Sequence, residues 1–157
     1  MKTKTWLKSV FLILLSSSIL SLPATAQEDI GSKLPPDVRT LLIHEMVAIL
    51  GATQTITDAM IRGDDQTVAT QAQRIHDSFI LAQALTEEQH EALVNAASKE
   101  FLSKDGAFHA MGDSLAEPAR AGDKPRQQEI FTQMIKACVA CHTDHAAQRF
   151  PNFQTRK

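Results

Sequence analysis

The chain is poor in most of the devices from which ligand-binding folds are built. Of its 157 residues only two are cysteines and only six are glycines. No glycine-rich phosphate loop occurs, and no segment alternates apolar and polar residues as a half-buried strand does. Sheet-based nucleotide-binding designs are therefore excluded. No apolar run reaches the roughly 20 residues of a membrane-spanning helix. Neither sign of charge dominates, with 16 Lys and Arg against 18 Asp and Glu for a formal net charge of −2. A mildly acidic chain lacks the basic footprint of a nucleic-acid binder.

What is present is concentrated in one pentapeptide. Both cysteines lie in Cys138-Val139-Ala140-Cys141-His142, a C-x-x-C-H sequence, which is the attachment pattern of a covalent c-type haem. On a helix Cys138 and Cys141 share one face, within reach of the two vinyl groups of one porphyrin. His142, four residues after Cys138, stays on that face and can direct an imidazole nitrogen at the iron. Two alternatives are weaker. A thioredoxin-like dithiol sits at a helix N-terminus, where the dipole favours a thiolate, whereas this pair falls near the end of a helical pattern. A zinc site from Cys138, Cys141, His142 and His145 would need four ligands on one continuous helix to surround a tetrahedral ion, and no second Cys/His cluster exists to help.

The N-terminus reads as an export signal. Lys2, Lys4 and Lys8 form a basic region, an apolar run follows from Val10 to Leu22, and Ala24-Thr25-Ala26 is a small-x-small cleavage site before Gln27. A signal peptide over residues 1–26 and a single domain over 27–157 are expected, with no lipidated cysteine and no membrane anchor. Cleavage removes three lysines and no acid, so the formal charge moves from −2 to −5. Export together with C-x-x-C-H points to the bacterial periplasm.

The mature chain carries helical periodicity throughout. Gln27 to Pro36 reads as a polar lead. Leu42, Met46, Ile49, Thr53, Ile56 and Met60 then recur at intervals of four and three, predicting a helix from Asp37 to Arg62. Gly63 is a natural C-terminal stop and Asp64 or Asp65 a natural N-cap. The second helix is expected to run to about Ala84 on Val68, Ala72, Ile75, Phe79 and Ala82. Thr86-Glu87-Glu88-Gln89 is a capping box opening a short helix to about Ala97, and Ser98 can cap the third long helix, whose stripe is Phe101, Phe108, Met111 and Leu115. Pro118 should distort the last turn of that helix. Gly122-Asp123 repeats the earlier punctuation, and Pro125 opens a fourth helix that ends before Pro151 and carries Phe131, Met134, Ile135, Cys138, Cys141 and His142 along one side. The expected architecture is all-α, an antiparallel up-down-up-down four-helix bundle enclosing one haem.

A signal peptide, four amphipathic helices and C-x-x-C-H near the C-terminus resemble the cytochrome c′ family, the class II c-type cytochromes. The resemblance spans about Pro36 to Phe150 and is specific in the haem motif, matching elsewhere in helix pattern. It implies haem c bound to Cys138 and Cys141, with His142 as proximal iron ligand and the first long helix facing the other side of the iron. In low-spin members a methionine of that helix is the sixth ligand. Met46, 17 residues before Gly63, stands at about that position. The family commonly places an arginine one turn before the iron-facing residue, but Leu42 occupies that place here. Arg39, seven residues and about 10 Å before Met46 along the same face, could still reach a haem propionate. Counting the register from Arg39 instead would turn Ile43 towards a five-coordinate iron. Ala146 stands where many members have a basic residue four positions after the haem histidine, leaving His145 and Arg149 nearby. His44 and Met111 rank behind Met46 as ligands.

The resemblance implies a periplasmic one-electron carrier, since a His142/Met46 iron changes redox state with little ligand rearrangement. The alternative is a five-coordinate haem protein binding nitric oxide or another small gas. No distal acid/base residue stands out for peroxidase-like chemistry, so an enzyme is not expected. The expected partners are periplasmic redox proteins and a second copy of the chain, because many members pair through their first two helices.

Overall fold

The computed structural model describes residues 29–153. The expected signal peptide, residues 1–26, lies outside the described residues. The described chain is helical: α1 Ile30–Lys33, α2 Pro36–Arg62, α3 Asp65–His76, α4 Leu81–Ala84, α5 Glu87–Ala96, α6 Lys99–Ala121 and α7 Lys124–His145, followed by a 3-10 turn at Pro151–Phe153. Among the described residues there is no strand, and no helix is long and apolar enough to cross a membrane.

Two hairpins set the topology. α2 ends at Gly63, whose φ of +73° closes the helix in the left-handed region that glycine adopts without penalty. Its N–H donates to Met60 O, and that of Asp64 to Ala59 O. Asp64 then caps α3, accepting from the Thr67 N–H at 3.1 Å and the Thr67 hydroxyl at 2.7 Å. The same device recurs after α6, with Gly122 at φ +71° and Asp123 accepting from the Arg126 N–H. The two turns lie side by side. Lys124 Nζ sits 2.9 Å from both carboxylate oxygens of Asp65, and Gln127 Nε2 donates to Asp65 Oδ1 at 3.0 Å. Both hairpins therefore turn at one end of the bundle. The N-terminal half of α2, the start of α6 and the end of α7 must gather at the opposite end.

The core divides accordingly. A cluster towards the hairpin turns is built from Ile56, Val68, Ile75, Leu115, Ile130 and Met134 with intervening alanines. A second, at the opposite end, contains Ile30, Leu34, Val38, Leu42, Leu93 and Phe101. α3 packs extensively on α6, and Gly112 permits the backbones to come close. A Cβ at Gly112 would lie 2.7 Å from both Ala72 O and His76 N, backbone atoms that cannot rotate away. Gly112→Ala should destabilise the protein by about 1–3 kcal/mol, because overpacking outweighs the roughly 1 kcal/mol gained in helix propensity. A thermal or denaturant midpoint at or above that of the parent chain would contradict this.

Two expectations change. The lead segment is not merely polar: Ile30 and Leu34, four residues apart, are buried around α1. The second long helix stops at His76 instead of continuing to Ala84, because the chain turns at Ser78, whose φ is +59°. Pro118 lies in the last turn of α6, which continues past it to Ala121.

Candidate functional site

Residues 138–142 occupy the last two turns of α7, which ends at His145. Cys138, Cys141 and His142 are all half-buried, on the face that spacings of three and four residues define. Both cysteines are free. Burial raises the Cys138 thiol above its usual pKa. Burial, reinforced by the nearby Asp105 carboxylate, pushes Cys141 up to about 11. Both thiols are thus protonated near neutral pH, opposite to the activated thiolate of a dithiol oxidoreductase, and they lie at the negative end of the helix dipole. Burial lowers the His142 pKa, which favours the neutral imidazole, the form that offers a lone pair to a metal.

The turn carrying His142 is held from two sides. Phe150 folds back so that its ring stacks on the imidazole, with centroids 4.8 Å apart and planes 11° apart. Across to α6, Asp144 Oδ2 lies 2.6 Å from Lys104 Nζ, which also reaches Glu100 Oε1 at 2.7 Å. His145, the neighbouring polar group, is 3 % exposed and meets the Phe101 ring edge-on at 5.6 Å. It is a core residue.

The N-terminal half of α2 contributes Val38 and Leu42 to the apolar cluster at this end of the bundle. Met46 is half-buried and packs against the second cluster, as does Cys141. One apolar body therefore joins the proposed methionine ligand to the motif helix. Ile43 is not among the side chains that pack on this cluster. Met111 packs on the other cluster, and His44 is exposed. Arg39 lies one turn before Leu42 on the same helix and donates to Leu34 O at 3.0 Å. Its Nε is buried with no hydrogen-bond partner among the described residues. A buried guanidinium donor left unpaired costs about 1–3 kcal/mol, and an anionic group would relieve that cost.

These residues fit a haem in their donor chemistry. There are two protonated thiols for thioether links, a neutral imidazole, a thioether sulfur in the same apolar cluster as one thiol, and a guanidinium with spare donor capacity. Among the described residues no three His, Cys, Asp or Glu side chains come together as a metal cage. A haem iron needs no such cage, since the porphyrin supplies four of its ligands and the chain at most two.

One residue escaped the sequence reading. Glu45 is 0 % exposed, although the sequence reading placed only apolar residues and Thr53 on the inward stripe of α2. The signal was available: Leu42, Glu45 and Ile49 follow the same spacing of three and four as the core positions. Asp105 and His109, one turn apart on α6, were likewise not singled out as a pair. Their side chains lie 3.8 Å apart, and burial raises the Asp105 pKa. Comparison of the chain with protein-family models, curated proteins and solved structures gave no match.

Proposed function

We propose that this chain is an exported, periplasmic monohaem c-type cytochrome of the cytochrome c′ kind, serving as a one-electron carrier between redox proteins. One observation carries the reading. Cys141 of the C-x-x-C-H sequence on α7 and Met46 of α2 pack against one and the same apolar cluster.

Each residue has a definite task. Cys138 and Cys141 hold the haem covalently, so that it survives repeated redox cycling without dissociating. His142 supplies a neutral imidazole on one side of the iron, its ring orientation fixed by Phe150. Met46 would offer the iron a thioether sulfur from an apolar surrounding, where such a soft donor favours the ferrous state. Arg39 offers its unpaired Nε to a propionate. The haem, when bound, contributes a one-electron ferric/ferrous couple. The apolar cluster around Met46 keeps water from that side, which limits rearrangement on electron transfer.

Full-length protein produced with a c-haem maturation system tests the proposal. It should retain its colour through acid–acetone extraction, contain one haem per chain and titrate reversibly as a single one-electron couple. Haem released into the solvent would overturn covalent attachment.

A further inference from the structure

Glu45 is a buried carboxylate that electron carriage does not use, and its partners are unusual. Its Oε1 accepts from the Ser78 hydroxyl at 2.9 Å and from the Phe79 N–H at 3.0 Å. Its Oε2 accepts from the N–H groups of Phe79, Ile80 and Leu81, at 3.1, 2.5 and 3.3 Å. These contacts are all donors, an arrangement that an acceptor-only carboxylate satisfies and a carboxamide does not. The Ser78 hydroxyl also accepts from the Ala82 N–H, and Ser78 itself stands at φ +59°. That conformation costs a non-glycine residue energy and persists only where its surroundings enforce it. The segment that ends α3 is thus wrapped around one side chain of α2.

We infer that Glu45 is the positioning residue for the sixth ligand: by tying α2 to the Ser78–Leu81 turn it sets the rotation and height of that helix, and so places the adjacent Met46 against the cluster shared with Cys141. The inference rests on the proposed His142/Met46 ligation. Its physical basis is helix geometry. Bringing Ile43 to the place of Met46 would slide α2 by about 4.5 Å and rotate it by about 60°. Either movement pulls the Glu45 carboxylate from hydrogen bonds that tolerate only a few tenths of an ångström. The methionine register and the seated carboxylate therefore stand or fall together. Five hydrogen-bond contacts from one buried anchor also explain how a half-buried thioether can be kept at one place on a 27-residue helix.

The test uses haem-loaded, full-length protein in five forms: the parent chain, Met46→Ala, Glu45→Gln, Ser78→Ala and Leu115→Ala. Two readouts are the weak long-wavelength absorption of ferric iron–thioether coordination and the affinity of the ferrous protein for carbon monoxide. Carbon monoxide competes with methionine, so its apparent affinity rises in proportion to the methionine-off fraction. The parent chain should show the band and Met46→Ala should abolish it. Glu45→Gln and Ser78→Ala should weaken or remove it and tighten carbon monoxide binding about tenfold or more, corresponding to about 1.4 kcal/mol. Leu115→Ala, which empties a core position in the cluster towards the hairpin turns, should keep the band.

Full bands and parental affinity in both Glu45→Gln and Ser78→Ala would overturn the positioning role while leaving Met46 as ligand. Equal loss in Leu115→Ala would overturn it too, reducing the effect to general destabilisation. If Glu45→Gln does not fold, Ser78→Ala decides the matter alone, because it deletes one hydroxyl and leaves the carboxylate in place. A parent chain with no band and no response to Met46→Ala would overturn the ligand assignment and the positioning role together.

Discussion

A chain carrying both Cys138→Ala and Cys141→Ala should emerge from a c-haem maturation system with no covalent haem, whereas each single variant should retain one thioether link. The effect is large because nothing else can replace the thiols: they are the only cysteines in the sequence. Misfolding does not account for it. Both side chains are half-buried, so replacing each thiol by hydrogen costs far less than the several kcal/mol of emptying a core leucine position. Far-UV dichroism should therefore remain helical in the haem-free material, and acid–acetone extraction of the double variant should leave it colourless. Covalent haem in the double variant would exclude Cys138 and Cys141 as the attachment points.

Met46→Ala should convert a low-spin, six-coordinate ferric protein into a high-spin one and open the iron to carbon monoxide or nitric oxide. Alanine removes the thioether and leaves space among apolar side chains, and a small neutral ligand can occupy such a site without competing with water for hydrogen bonds. The stability cost should fall near or below the lower end of the 2–5 kcal/mol expected for emptying a buried methionine, because Met46 is only half-buried. Loss of the thioether band with retained helicity and one haem per chain is the expected result. A parent protein already high-spin and indifferent to Met46→Ala would remove electron transfer as framed. It would turn attention to Ile43 and to gas binding, despite the packing that favours Met46.

The local elements were the most legible. Gly63-Asp64 and Gly122-Asp123 reverse the chain as expected, each with a left-handed glycine followed by an aspartate cap. Thr86 and Gln89 form the reciprocal capping box, and Ser98 caps α6 through the Phe101 N–H. All these signals act within a few residues, so the geometry they impose is written in neighbouring positions. The same holds for the C-x-x-C-H face, which needs only helical spacing.

The departures from the sequence reading are long-range. α3 stops at His76 because a carboxylate 33 residues earlier captures Ser78. Periodicity alone would have carried the helix on, since local propensity cannot register a partner so distant in sequence. Ile30 and Leu34 join the core through contact with elements later in the chain, and Phe150 comes to lie on His142 only after the chain turns back beyond α7. The choice between Met46 and Ile43 has the same character. Both are apolar, three residues apart on one helix, and propensity treats them alike. The four-helix order and the residues of the motif follow from local chemistry; the direction in which α2 faces depends on Glu45 reaching a turn that exists only once the bundle has closed.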